Sequence, residues 1–422
     1  MLLEEVPVAI DSFHHREQGL LYFCSHAHED HLKGLSETWR RGSICCSAVT
    51  AKILAAKWPA LATRLRPLHF GTSHRLALGD AAAAGGEVES VQLEVTLIDA
   101  NHVPGACMFV LSGYFGTVLY TGDFRLDPSH AHLASLIALR GGLSRIYLDN
   151  TFCHPRFAQP PRNEASERIL AAVADKWPCL LFVSAYKLGK ERLLEALAQR
   201  FGSRVLLPVM PGRDVALRAA GVAPERFVAE PCAPGAASPD VLRCLAADGF
   251  IWVTTRRCMR TVLERATVCG ARAFGLVPSG WAAPLKPLPD GAAPVPDEYD
   301  AEGVLEVPYS DHCSFLELVQ FLCLLPAAPV TFLSPLAKPT GKFGYNGMEG
   351  LLRLQEHADV ARIAYQSATA PDAAPSAGSA APAPAPKRPR CGPHAEEGPA
   401  LKRSGDGAAG SDGSGRGGAS LA

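Results

Sequence analysis

The sequence has no CxxC pair, although thirteen cysteines are scattered from Cys24 to Cys391. An odd, irregularly spaced set excludes a disulfide framework, argues for a reducing compartment and leaves most of these thiols as small buried side chains. No apolar run is long enough to cross a bilayer, because each is soon interrupted by charge, Gly or Pro. The opening stretch, MLLEEVPVAIDSF, is acidic and lacks the basic-then-apolar pattern of a signal peptide, so secretion is not expected. Charge of one sign is missing too. Lys and Arg number 41 against 42 Asp and Glu, a net charge of −1, which excludes global attraction to nucleic acid and leaves any such binding to a local patch. There is no internal repeat.

With 422 residues, 48% of them hydrophobic, the chain is long enough for two lobes with sizeable cores, plus tails. Short apolar runs read as strands at 20–24, 93–98, 108–111, 117–120, 146–148, 180–183, 205–208, 250–254 and 304–307. Helical spacing appears at 164–175, 190–200, 261–267, 315–325 and 348–357, which makes an α/β protein. Gly- and Pro-rich stretches near 156–163 and 279–297 mark lobe boundaries. From about residue 367 the composition turns to Ala, Pro, Gly and Ser, a segment too poor in large apolar residues to offset the entropy of ordering.

Directly after the strand LLYFC comes Ser25-His26-Ala27-His28-Glu29-Asp30-His31, four side chains of metal-binding chemistry within six residues. Alternation lets His26 and His28 share one cation, while Asp30 and His31 turn towards a second as the chain bends. Imidazole with carboxylate suits zinc, and the absence of a local Cys favours a catalytic over a closed structural site. Asp11, His102 and Asp123 taken singly are ordinary turn or packing residues. Asp149 alone is a cap and His312 alone a loop histidine.

Their order changes that reading. The His26–His31 run, preceded by Asp11 in VAIDSF and followed by His102 in DANHVPGA and Asp123 in YTGDFR, resembles the four metal motifs of the metallo-β-lactamase superfamily. Asp149 in IYLDNTFC and His312 in VPYSDHCSF resemble motifs A and B of its β-CASP branch. The wording IDANHVPGACMFVLSGYFGTVLYTGDFR, SAYKLGKERLLEAL and VPYSDHCSF is similar to the branch's DNA nucleases over residues 6–340, more weakly across 209–303. Val103 departs from the usual Cys at a position that is not a ligand.

The resemblance implies an αββα sandwich with an inserted β-CASP lobe. Residues 1–155 form the first part of the metallo-β-lactamase domain, 156–303 the insertion, 304–366 the returning part, and 367–422 a disordered tail. It implies one or two zinc ions, with His26, His28 and His102 on the first, Asp30 and His31 on the second, and Asp123 on both. Asp11 supports the loop. Asp30, Asp123, Asp149 and His312 are the expected catalytic residues. Motif C, a histidine in RNA-processing members, is aliphatic here at Val330 or Leu333, which favours DNA.

In exonucleases of this branch the turn holding Ser184, Tyr186, Lys187, Gly189 and Lys190 resembles a pocket for a terminal 5′-phosphate. A helix start with nearby lysines is a reasonable anion site on physical grounds alone. Arg256, Arg257 and Arg260 are candidates for holding the DNA backbone, or else a solvated helix face. Lys387, Arg388 and Arg390 in the tail fit a nuclear import signal. The expected function is a monomeric nuclear 5′→3′ DNA exonuclease in crosslink repair or at telomeres, possible partners being shelterin or repair proteins. The alternatives are a structure-selective endonuclease, a small-molecule hydrolase such as a lactamase, and a non-catalytic scaffold.

Overall fold

The computed structural model describes residues 1–3, 6–15, 19–78, 92–139, 142–153, 157, 159–185, 188–282, 300, 303–333, 354 and 356. The helix expected at 348–357, Tyr186, Lys187 and the tail with Lys387, Arg388 and Arg390 lie outside the described residues, Leu354 and Glu356 apart.

Four parallel strands form the first sheet in chain order: β1 (Val8–Ile10), β2 (Leu21–Cys24), β3 (Ile44–Ser47) and β4 (Leu65–Leu68). The second sheet begins as an antiparallel meander of β5 (Ser73–Ala77), β6 (Gln92–Asp99), β7 (Cys107–Gly113) and β8 (Gly116–Tyr120), with β9 (Arg145–Leu148) added in parallel. A third sheet, wholly parallel, comprises β10 (Leu180–Ser184), β11 (Val205–Leu207), β12 (Phe227–Ala229), β13 (Phe250–Thr254), β14 (Ala273–Ser279) and β15 (Val304–Pro308). Its strand order is β12-β11-β13-β10-β14-β15. The chain then returns to the second sheet, where β16 (Val330–Phe332) pairs with β9.

Side-chain alternation explains how the first two sheets pack. On β6, Leu93, Val95 and Leu97 point to one face and meet Val8, Ile10, Phe23 and Cys45 of the first sheet in a shared core. The opposite face of the second sheet, with Ile98, Met108, Val110, Leu119, Ile146 and Leu148, is covered by Leu136 of the helix His132–Ala138. Phe315, Leu318 and Phe321 of the helix Phe315–Leu324 cover it as well. Ala9, Tyr22, Cys24, Ile44 and Cys46 bury the outer face of the first sheet against Ile53 and Leu54 of the helix Ala48–Lys57. The result is four layers, α, β, β, α. Phe321 is wholly buried, and truncating such a ring to Ala costs about 3–5 kcal/mol, so the helix behind His312 is firmly seated.

The third sheet is covered on both faces, which is why LLFVS and FIWVT read as continuous apolar runs instead of alternating ones. The helices Arg162–Ala174 and Glu191–Phe201 lie on one face, Pro239–Asp248 and Met259–Val268 on the other. Val304–Pro308, assigned from the sequence to the returning part, instead hydrogen-bonds along β14, and the chain leaves this sheet only after Pro308. Registers such as Ser184 with Thr254 and Ser279 with Pro308 align the carboxyl ends of four strands on one edge. In open parallel sheets ligands bind at that edge, and it leads directly into Asp311 and His312. Among the described residues no helix is long and apolar enough to cross a membrane.

Candidate metal centre

Each candidate ligand sits where a strand runs out. After β2 the chain bends at Ser25, is extended at His28 and then closes one 3₁₀ turn, Glu29–Leu32, carrying Asp30 and His31. Asp11, in the left-handed region at φ 51°, anchors this loop. Its carboxylate accepts from Ser25 N at 2.7 Å, Ser25 Oγ at 2.6 Å, His31 Nδ1 at 3.0 Å and the Tyr120 hydroxyl at 3.2 Å. Asn101, at φ 53°, turns the chain after β6 and aims His102 inward, its amide held by Asp99 and its side chain by the Arg125 carbonyl. Asp123 follows β8 and Asp149 follows β9, the two strands being hydrogen-bonded neighbours.

Hydrogen bonds fix the ring forms of three imidazoles. His102 Nδ1 donates to the Asp311 carbonyl at 2.9 Å, and His28 Nε2 donates to the Leu188 carbonyl at 3.3 Å. Ser25 Oγ gives its proton to Asp11 and therefore accepts from His26 Nδ1, at 3.0 Å. Each bond leaves the other nitrogen with a lone pair, and those nitrogens converge. His26 Nε2 is 3.0 Å and His102 Nε2 3.3 Å from His28 Nδ1. Asp123 Oδ2 stands 3.6 Å from His26 Nε2, 3.7 Å from His102 Nε2, 3.2 Å from His31 Nε2 and 3.9 Å from His312 Nε2.

The ligand atoms of His26, His28, His102 and Asp123 all lie within 4.8 Å of one another. Convergent lone pairs repel unless a cation lies between them. A tetrahedral zinc with nitrogen at about 2.0–2.1 Å needs donors roughly 3.3–3.5 Å apart, close to the spacings found. The residues present therefore fit zinc. Asp123, Asp149 and His312 form a second such group. His31 packs against His26 with ring centroids 4.1 Å apart, and Asp30, largely exposed, stands 3.8 Å from His31 Nε2.

Electrostatics match this arrangement. Burial, reinforced by His31 and His28, pushes His26 well below its ordinary value, and burial with His312 lowers His102 to about 3. Both rings are thus uncharged donors at neutral pH. His312 behaves oppositely. Burial opposes its charge, yet Asp149 and then Asp123 outweigh burial and raise it to about 9. Its Nδ1 donates to Asp149 Oδ2 at 2.8 Å across 163 positions of sequence, and Asp149 Oδ1 is held by the Thr151 amide and hydroxyl. Burial also works against the Asp123 charge, but His312 and His31 hold its carboxyl well below the usual range.

The expected phosphate turn is more occupied than its sequence suggests. Lys190, at φ 64°, precedes the helix Glu191–Phe201, and its ammonium pairs with Asp311 Oδ2 at 3.4 Å. The Gly189 amide is taken by the buried Glu191 carboxylate at 2.9 Å, and Ser184 ends β10 half-buried. Arg256 forms two hydrogen bonds to Glu306, at 2.7 and 2.9 Å, and Arg260 lies 3.9 Å from Asp300, while Arg257 is exposed just past β13. For motif C the parallel register separates the two candidates. The Leu333 amide bonds to the Leu148 carbonyl, level with Asp149, whereas Val330 lies opposite Ile146, deeper in the sheet.

Sequence reasoning missed the residues that join these loops. Arg125, 1% exposed, donates to the carbonyls of Ser310, His312 and Pro160 and to Glu317 Oε1. Glu317 Oε2 accepts from the Ser314 amide in a capping box. The S-x-x-E spacing of that box was legible. The pairing of Arg162 with Asn101 and Asp311 left no local trace.

Residues 256–331 match the family model described as DNA repair metallo-beta-lactamase. The chain is 43% identical over 202 residues to "5′ exonuclease Apollo" of Danio rerio, covering 47% of this chain and 34% of that protein. Over 318 residues it is 34% identical to the Gallus gallus protein of that name, covering 75% and 59%. "Protein artemis" of Homo sapiens is 37% identical over 187 residues, covering 41% and 26%. The chain thus spans less than two thirds of the length of the curated relatives it matches. Ordered metal motifs thus meet at one centre on a four-layer sandwich, in a chain that is similar to the 5′ exonuclease Apollo proteins over up to three quarters of its length and to the DNA repair metallo-beta-lactamase model at 256–331.

Proposed function

We propose that this chain is a zinc-dependent 5′→3′ exonuclease acting on the 5′-phosphorylated ends of DNA. The observation that carries the reading is the Asp149–His312 pair, 2.8 Å apart, facing Asp123 beside three lone-pair-bearing imidazoles. Zinc bound by His26, His28, His102 and Asp123, with Asp30 and His31 available to a second ion, would supply Lewis acidity towards a phosphate oxygen and a nucleophile at neutral pH.

The remaining work falls to side chains. His312, protonated and oriented by Asp149, donates its Nε2 proton to the leaving sugar oxygen. Asp11 holds the loop rigid through its contacts with Ser25 and His31. An aliphatic Leu333 beside Asp149, in place of a histidine, leaves that side of the centre open to substrate. Ser184, Gly189 and Lys190, with Tyr186 and Lys187, take the terminal phosphate, Lys190 exchanging Asp311 for it and the Gly189 amide exchanging the Glu191 carboxylate. Arg256 and Arg260 already face acidic partners, which leaves Arg257, exposed just past β13, as the better placed of the three to hold the backbone. Residues 1–155 and the chain after Pro308, to about residue 366, would build the catalytic domain, and the chain between them the β-CASP lobe. The tail's Lys387, Arg388 and Arg390 would direct a monomer to the nucleus, for crosslink repair or work at telomeres with shelterin or repair proteins.

Purified protein with zinc and a 3′-labelled, 5′-phosphorylated single strand tests the reading. Stepwise loss of mononucleotides that stops on chelation is expected. Cutting of hairpins or overhangs without trimming would transfer the assignment to a structure-selective endonuclease. No hydrolysis of any DNA would defeat both.

A further inference from the structure

Beside the Asp149–His312 pair lies a group of aromatic rings that the proposed chemistry does not use. Phe152, three residues after Asp149, stands edge-on to His312 with ring centroids 5.9 Å apart. Trp281 packs on Phe152 at 4.9 Å and on Phe157 at 5.5 Å, and Phe152 and Phe157 meet at 5.0 Å. Phe152 and Phe157 are buried, whereas Trp281 keeps 46% of its surface exposed. Trp281 is thus a large, half-exposed aromatic backed by two buried rings and one ring away from His312.

Its position is fixed by the backbone. Trp281 follows β14 at the carboxyl edge of the third sheet, and its amide donates to Ser279 Oγ at 3.1 Å. The Gly280 carbonyl accepts from Gln159 Nε2 at 2.8 Å, and a Cβ at Gly280 would fall 2.3 Å from the Phe152 ring. Glycine thus lets the backbone lie directly on Phe152, joining the end of the third sheet to the loop that carries Asp149. A ring locked in this way loses little conformational entropy when a ligand stacks on it.

We propose that Trp281 is a stacking platform for a nucleobase of the DNA strand whose phosphate meets His312. This rests on the nuclease reading and adds to it a contact specific to the base. Every base has a π face, so the contact is sequence-tolerant, as trimming a strand of any sequence requires. The platform would hold the strand in place by its base, while the metal centre and His312 address its phosphate.

Binding keeps the two readings apart. Zinc-loaded protein is titrated with a fluorescent 5′-phosphorylated oligodeoxyadenylate whose phosphorothioate links resist cutting, and with strands carrying one abasic residue at each of the first positions in turn. Wild type should lose about tenfold in affinity at one abasic position. Trp281→Ala should bind the intact strand about tenfold more weakly yet show no further loss at that position, and Trp281→Phe should recover most of the difference. Equal weakening of intact and abasic strands by Trp281→Ala, wild-type indifference to abasic residues, or no binding at all overturns the platform. Hydrolysis of ordinary DNA is read separately. Stacking without nucleotide release defeats the nuclease reading alone, and release without base discrimination defeats the platform alone.

Discussion

Exchanging Arg125 for Met tests whether one buried guanidinium holds the two halves of the centre together. Arg125 lies two residues after Asp123 and is 1% exposed. Its side chain meets Glu317 Oε1 at 2.9 Å and the carbonyls of Ser310, His312 and Pro160 at 2.9, 3.2 and 2.9 Å. Methionine keeps the unbranched apolar stem but stops short of the guanidinium, so a carboxylate and three carbonyls lose that donor. Breaking a buried pair from one side costs about 3–5 kcal/mol. Glu317→Gln keeps an acceptor for the Ser314 amide and removes only the charge, a loss of about 1.5–3 kcal/mol. If the pair acts as a unit, the double variant should be more stable than the sum of the singles predicts, by roughly 0.5–3 kcal/mol. Urea unfolding followed by fluorescence and circular dichroism measures all four proteins. Turnover should fall in Arg125→Met by more than zinc affinity does, because the loop bearing His312 is loosened while His26 and His28 keep their own partners and only His102 leans on that loop, through the Asp311 carbonyl. Strict additivity of the two substitutions, or loss of zinc in parallel with activity, would refute the reasoning.

Three further outcomes follow from the geometry. Asp11→Ala removes the anchor of the His26–His31 loop without touching a ligand nitrogen of His26, His28 or His102. Zinc affinity should drop about 10–100-fold in a chelator competition, and an unchanged affinity would show that the loop holds itself. Asp149→Asn and His312→Asn should each cut turnover about 10²–10⁴-fold with little change in KM, a split that steady-state kinetics reads directly; normal turnover in either would remove the pair from the reaction. In zinc-stripped protein, burial of His312 is outweighed by Asp149 and Asp123, and its proton is retained up to about 9. The folded state then binds more protons than the unfolded one, so this stabilisation is complete below about 6.5 and fades as pH rises through about 9. Thermal unfolding across that range should show the decline in wild type and not in His312→Asn. Parallel profiles would be the contrary result.

By itself, the sequence determined the repeating local facts. Alternation in QLEVTLID sets which face of β6 is buried, and continuous runs such as LLFVS mark strands covered on both sides. The motifs at 26–31, 102, 123, 149 and 312 fall at strand ends, so the ligand types were legible before any coordinates. Short strands such as Val8–Ile10 and Ile44–Ser47, and helices such as Ala48–Lys57 and Arg213–Ala220, were not, being too brief or too Ala-rich for a clear period. Tertiary structure alone decided which atoms meet. Ring forms at His28 and His102 depend on carbonyls 160 and 209 positions away, Lys190 spends its charge on Asp311, and Trp281 reaches Phe152 across a sheet edge. Spacing along a chain encodes local geometry within a few residues. Contacts over a hundred residues are set by strand register and by which faces must be buried, and those are properties of the folded whole.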